Sequence, residues 1–202
     1  MTAHEVVVVL DRLDRAGVEW WIDGGWGLDA LLGEETRGHD DLDLAVRLDD
    51  VERLPSVFPE FRRVDEEQWP GAFVLRDSAG RQLDFHPLEF DAGGHGWQTQ
   101  PDGSRHRWPR EALAARGRIA GREVRCTSAE FQLDSHLYAG HDDVDWEDAR
   151  LLCERFGLPA PPALAERPGF VHRRRRLSSR AVAVRADRAA DADGRAGRAR
   201  TC

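Results

Sequence analysis

Two short motifs constrain this chain most: Gly24-Gly25-Trp26 and, shortly after it, His39-Asp40-Asp41-Leu42-Asp43-Leu44. The glycine pair sits between the apolar run Trp20-Trp21-Ile22 and an apolar stretch at 26–32, which predicts a strand, a tight turn and a helix. Bare glycine backbone can approach a ligand closely, and the first-turn N–H groups of a helix have no partners within it. Anions bind at such ends. Asp41 and Asp43 alternate with Leu42 and Leu44, so both carboxylates are expected on one face of a strand. Two carboxylates held rigidly together suit a hard divalent cation, above all Mg²⁺ with phosphate oxygens as further ligands. An alternating Asp-x-Asp also describes a solvated edge strand, so its neighbours must decide between the two readings.

The rest of the chain supplies a scaffold for the pair. Thr2-Ala3-His4-Glu5 is a capping box that opens a helix to about Arg15. Strands are expected at 19–22, 42–48, 61–64, 72–76 and 82–86, with Asp77-Ser78-Ala79-Gly80 turning between the last two. Helices are expected at 26–32, closed by Gly33, and from Asp49/Asp50 to about Val57. Residues 90–107 read as a loop or second hairpin around Pro101-Asp102-Gly103-Ser104, and 117–126 as a hairpin turning at Ala120-Gly121-Arg122. Thr127-Ser128-Ala129-Glu130 is a second capping box, opening a helix to about Tyr138. A helix at 144–156 stops at Gly157, before Pro159, Pro161 and Pro162. The fold class is therefore α+β, an α/β-like mixed sheet with helices. We divide the chain into a catalytic region (1–110), a hairpin plus helical part (111–166) and an Arg/Ala-rich tail (167–202).

Composition excludes several alternatives. Of 202 residues 41% are hydrophobic and seven are Trp, enough for a core, yet no apolar run approaches the roughly 18 residues of a membrane span. The start is not basic and 6–10 is too short for a secretory h-region, so a cytoplasmic protein is expected. Cys126, Cys153 and Cys202 lie far apart and suggest neither a disulfide framework nor a paired-cysteine metal site. Ten Arg and three Asp in 169–202 leave the first 168 residues strongly acidic, since the whole chain carries −8. An acidic body suits metal ions or a cationic substrate and argues against nucleic acid as its partner. The tail, with Arg173 to Arg176 inside it, has too few core residues to fold and is expected to be disordered. No Walker A, GxSxG, HExxH or CxxC pair occurs, and the histidines show no ligand spacing.

Three neighbours favour the chemical reading of Asp41 and Asp43. Asp84 lies in a second short strand, Gln82-Leu83-Asp84-Phe85-His86; the glycine turn precedes the acids by one strand–helix–strand unit; and Arg37 and His39 stand ready for phosphate oxygens. Clustered carboxylates repel one another unless cations neutralise them. Two metal ions about 3.5–4 Å apart could share Asp41 and Asp43, one for a triphosphate and one for an attacking hydroxyl. Asp84 fits the second metal, the proton-accepting base, or both. Asp40 points the other way and is left out. Asp23 and Asp29 read as surface acids or caps, Trp26 as core, and His86 as a support for the acids or a plain strand residue. His136 and Tyr138 read as core, surface or cleft residues. The acids from Asp142 to Glu147 read as a helix cap with a solvated face. Trp97, Trp108 and Trp146 are candidates to line a less polar pocket.

Three segments carry a family resemblance: Trp21-Ile22-Asp23-Gly24-Gly25-Trp26-Gly27-Leu28-Asp29, Arg37-Gly38-His39-Asp40-Asp41-Leu42-Asp43-Leu44 and Leu83-Asp84-Phe85-His86-Pro87. In this order they resemble antibiotic nucleotidyltransferases, specifically the lincosamide and 2″-aminoglycoside nucleotidyltransferases. Ile119 to Cys126 and the helix of Tyr138 look similar too, so the likeness spans roughly 4–160. It implies a polymerase-β-like nucleotidyltransferase fold with a small helical C-terminal part, acting as monomer or homodimer. Gly24 and Gly25 would be the phosphate turn, with Arg37 and His39 beside the nucleotide. Asp41 and Asp43 would be the metal ligands and Asp84 the third acid. The wider superfamily has Gly-Ser where this chain has Gly-Gly, which keeps a backbone role and removes a hydroxyl. The implied reaction moves AMP from ATP, with Mg²⁺, to a hydroxyl of a lincosamide or aminoglycoside. Alternatives are a protein or RNA acceptor, or a non-enzymatic acidic domain with a nucleic-acid-binding tail.

Overall fold

The computed structural model describes residues 1–65, 68–136 and 143–166. Tyr138, Asp142 and the Arg-rich tail lie outside the described residues. Helix α1 (Ala3–Arg15) starts as its sequence demands: the Thr2 hydroxyl accepts from the Glu5 N–H at 3.3 Å, and Thr2 N–H donates to the Glu5 carboxylate at 2.8 Å. Its apolar stripe, Val6, Val9, Leu10 and Leu13, is buried. Strand β1 (Trp20–Ile22) leads into α2 (Gly24–Leu32), which Gly33 closes in the left-handed region at φ 73°. The helix thus begins at the glycine pair, two residues before the expected Trp26.

Strand β2 (Asp41–Arg47) is followed by a 3₁₀ turn (Leu48–Arg53) and the short α3 (Leu54–Val57), where a single α-helix was expected. Strands β3 (Arg62–Asp65), β4 (Phe73–Arg76) and β5 (Gln82–Phe90) complete the main sheet in the order β1-β2-β5-β4-β3. Among the described strands of this sheet, only β2 and β5 pair in parallel. β5 runs past the expected His86 and pairs with β6 (Gly96–Thr99), which pairs with β7 (Arg105–Trp108). The segment 90–107 is therefore the hairpin, turning through 101–103. A separate hairpin of β8 (Arg116–Ile119) and β9 (Arg122–Arg125) lies so close to α2 that a Cβ on Gly117 would sit 2.3 Å from the Ala30 carbonyl oxygen.

Helices α4 (Ala129–His136) and α5 (Asp143–Phe156) follow. The cap of α4 is Ser128, whose hydroxyl accepts from the Phe131 N–H at 3.3 Å, one residue later than the expected Thr127 box. The Thr127 hydroxyl is turned instead to the Asp23 carboxylate, to which it donates. Among the described residues no helix is long and apolar enough to cross a membrane.

The core explains why the acids stay at the surface of the sheet. Leu42, Leu44, Leu83 and Phe85 are all fully buried, packed with α1 residues and Phe58. Each such side chain contributes about 1.5–3 kcal/mol when buried. Strand alternation then forces Asp41, Asp43 and Asp84 to the opposite face. A second cluster on that face joins Trp21, Ala45, Leu88, Trp108 and Phe131, and a third joins Leu28 of α2 with Leu133, Leu152 and Cys153.

Candidate active site

Parallel pairing sets Asp43 directly beside Asp84, with Leu42 beside Leu83 and Ala45 beside His86. Registered neighbours in a parallel ladder point to the same side, so Asp41, Asp43, Asp84 and His86 share one face. The electrostatics record this crowding. Burial, then the Asp43 charge, pushes the Asp84 carboxyl up to about 6, and Asp41 adds to it. Asp41 is likewise raised, by burial and then by Asp43. One oxygen of Asp84, Oδ1, is buried with no hydrogen-bond partner, an arrangement normally found where a ligand completes the site.

The glycine turn is built against this acid face. Gly24 has φ +58°, a conformation that side-chain-bearing residues rarely adopt, and a Cβ there would lie 2.1 Å from Asp43 Oδ2. A Cβ on Gly25 would lie 2.4 Å from His39 Nδ1 and 2.7 Å from an Arg37 nitrogen. Strand β2 holds the turn from below, since its Asp43 carbonyl accepts the Asp23 N–H at 3.1 Å. Gly24 is thus required by conformation and by contact, Gly25 by contact alone, and the first-turn N–H groups of α2 are left beside the carboxylates.

Arg37 and His39 are placed behind the turn. His39 is 4% exposed, with its ring 4.7 Å from that of Trp26. Arg37 Nη1 donates to His39 Nδ1 at 2.9 Å, so the other ring nitrogen carries the proton, and it donates to Asp29 Oδ2 at 2.5 Å. Asp29 also accepts from the Thr36 N–H and hydroxyl at 3.1 and 2.6 Å. Arg37 reaches across to α5, pairing with Asp148 at 2.8 Å. Asp29 and Asp148 are 2% and 1% exposed. Asp29 was expected as a surface acid or cap. Its place inside the apolar stretch 26–32 is the signal that it needed a buried partner.

Asp23 is also buried, and burial raises its carboxyl despite the Thr127 hydrogen bond. Asp40 is exposed. His86 Nε2 lies 3.4 Å from Asp43 Oδ1. Burial would lower the pKa of His86, but the hydrogen bond to Asp43 and the charges of Asp43, Asp23 and Asp84 outweigh it and raise it. His136 Nδ1 lies 3.2 Å from Asp145, and its Nε2 is buried without a partner. Of the three tryptophans, Trp108 is buried at 3% exposure, Trp146 packs against the α2–α4–α5 cluster, and Trp97 donates to Asp91 at 2.9 Å.

The donor set fits a divalent cation. Among the described residues no three Asp, Glu, His or Cys side chains are placed to hold a metal ion by themselves. The three carboxylates form an open acid face, suited to an ion that takes its remaining ligands from triphosphate oxygens and water.

Comparison with known proteins adds the family. Residues 5–152 match the family described as aminoglycoside-2″-adenylyltransferase. A lincosamide resistance protein of Staphylococcus haemolyticus is 27% identical over 143 residues, covering 70% of this chain and 87% of the relative. A 2″-aminoglycoside nucleotidyltransferase of Klebsiella pneumoniae is 34% identical over 159 residues, covering 74% of this chain and 84% of the relative. The crystal structure of the lincosamide antibiotic adenylyltransferase LnuA, lincomycin-bound, superposes with a TM-score of 0.66 at 25% identity, covering 75% of this chain and 96% of that one.

Proposed function

The chain belongs to the aminoglycoside-2″-adenylyltransferase family and is a nucleotidyltransferase, and from that premise we propose that it transfers AMP from ATP to a hydroxyl of an antibiotic, a lincosamide or an aminoglycoside. The observation that carries this reading is the register of β2 on β5, which sets Asp43 beside Asp84 and on the face of Asp41, directly under the Gly24 turn. The drugs named for the relatives point to a small-molecule acceptor, in preference to a protein, an RNA end or a non-enzymatic module.

In this reading Asp41 and Asp43 hold Mg²⁺, and Asp84 either joins them or takes the hydroxyl proton. Bound Mg²⁺ would neutralise triphosphate charge and lower the pKa of the attacking hydroxyl. The first-turn N–H groups at Gly24 and Gly25 receive phosphate oxygens, where backbone donors and the helix dipole favour an anion. Arg37 and His39 act on the nucleotide through the turn they brace. His39 fills the space a Gly25 side chain would need, and Arg37 ties that ring to α5. The hydroxyl attacks the α-phosphorus, the bond to the bridging oxygen breaks, and pyrophosphate leaves with the electron pair.

Pyrophosphate release tests this directly, with ATP and Mg²⁺ and with lincomycin, kanamycin and gentamicin as separate acceptors. Release is expected only with Mg²⁺ and an acceptor. Asp43→Asn is expected to lower it by about 10³-fold or more, on the order of 4 kcal/mol in the barrier. Unchanged turnover in that variant would remove Asp43 from the metal site.

A further inference from the structure

We infer that His86 is a positioning residue for Asp43: a one-way hydrogen-bond relay from Trp108 through Gln98 fixes its imidazole as the Nε2–H tautomer, aimed at Asp43 Oδ1. The inference rests on reading Asp43 as a metal ligand.

The relay follows from what each group is able to do. An indole N–H only donates, and Trp108 Nε1 donates to Gln98 Oε1 at 3.1 Å. A backbone carbonyl only accepts, and Gly71 O accepts from Gln98 Nε2 at 2.7 Å. These two partners set the orientation of the Gln98 amide. Turned over, it would set oxygen against oxygen at Gly71 and N–H against N–H at Trp108. Gln98 is 8% exposed and Trp108 3%, so water is a poor substitute for either partner. The remaining hydrogen on Gln98 Nε2 faces His86 Nδ1 at 3.3 Å. Nδ1 must therefore present its lone pair, and the neutral ring carries its proton on Nε2, 3.4 Å from Asp43 Oδ1.

The consequence falls on Asp43. Oδ1 is held by the imidazole N–H, while Oδ2 lies against the Gly24 backbone, where a Cβ would be 2.1 Å away. The carboxylate is thus gripped from both sides. Ala45, the cross-strand neighbour of His86, is small enough to leave the ring room on this face. The same logic recurs at His39, where Arg37 forces Nδ1 to accept and Nε2–H faces Asp29. Two histidines, one on each side of the glycine turn, are both read as Nε2–H donors to an aspartate, each set by an obligatory donor on its other nitrogen. Such outer partners of ligand groups typically change metal affinity by 10–100-fold when removed.

Two measurements test this on the full chain. Long-range ¹H–¹⁵N spectra of the metal-free protein at pH 8 are expected to show His86 with a pyridine-like Nδ1 and a pyrrole-like Nε2. The opposite pattern would overturn the relay whatever the enzyme does. Mn²⁺ affinity in the presence of a non-hydrolysable ATP analogue then separates positioning from packing. The Gln amide nitrogen reaches the place of Nε2, and the Asn one reaches that of Nδ1. His86→Gln is expected within about threefold of wild type, and His86→Asn weaker by about tenfold or more. Equal losses in both variants, or none in either, would overturn the positioning role. Failure of the wild type to bind Mn²⁺ with the analogue would remove Asp43 as a ligand and the positioning role with it, and the imidazole spectrum would still decide the relay.

Discussion

Two clusters of the same residue types lie on either side of the glycine turn, and their charges are settled in opposite ways. Behind it, Asp29 meets His39 and Thr36, and Asp148 meets Arg37, so each buried acid faces a donor. In front of it, Asp41, Asp43 and Asp84 face one another, and Asp84 keeps a buried oxygen without a partner. Proteins leave buried charge unpaired rarely, because desolvation is costly. The contrast marks the first cluster as complete in itself and the second as the place where, in the reading proposed above, a cationic ligand would sit.

This comparison is open to direct attack, beginning with the largest effect. Asp43→Asn is expected to abolish turnover while leaving the thermal midpoint close to wild type or higher, because it relieves repulsion. A large loss of stability would mean that the front cluster is structural. Asp29→Ala is expected to do the reverse, destabilising by about 3 kcal/mol in denaturant unfolding, since it strands the buried His39 and removes the acceptor of Thr36. A change below 0.5 kcal/mol by that measure, about the size of an ordinary surface substitution, would break the contrast. Gly24→Ala couples the clusters: strain at φ +58° and the push on Asp43 are expected to weaken Mg²⁺–nucleotide binding by about tenfold in calorimetry, with about 1–2 kcal/mol of lost stability.

The smallest effect is the most specific. The Asp84 carboxyl sits near 6 in the folded chain, above the roughly 3.9 of an unfolded one. Between those values the folded state binds more protons, so stability falls as pH rises from about 4 to 6. Asp84→Asn is therefore expected to stabilise the metal-free protein by about 1–2 kcal/mol at pH 8 and to leave it unchanged below pH 4. Saturating Mg²⁺–nucleotide should erase the gain. A gain that is the same at every pH would show that carboxylate crowding is not its source.

Local pattern carried much of this in the sequence. Alternation around Leu42 places Asp41 and Asp43 on one face, Thr2 and Glu5 announce α1, and the turn residues at 77–80 and 120–122 mark hairpins that the structure contains. What local pattern could not carry was any contact between distant segments. Thr127 looks like a cap until Asp23, a hundred positions earlier, takes its hydroxyl. Arg37 looks like a free cation until α5 brings Asp148 to it. Gln98 carries no motif at all, and its place in the relay emerges only when β6 folds back on β5. Asp29 was within reach, because an acid among Trp26, Leu28, Ala30 and Leu31 must find a buried partner.

The pairing of β2 with β5 has a consequence for how such a chain tolerates change in length. Seven residues of each strand stand in step, from Asp41 with Gln82 to Arg47 with Leu88. One residue inserted just before Asp84 would put the newcomer opposite Asp43 and shift the acid to the core-facing place opposite Leu44. The same residue added at the 77–80 turn would leave the step intact, since turns absorb length and ladders do not. Gaps between this chain and functional relatives should therefore collect in its turns and be absent from the seven paired positions.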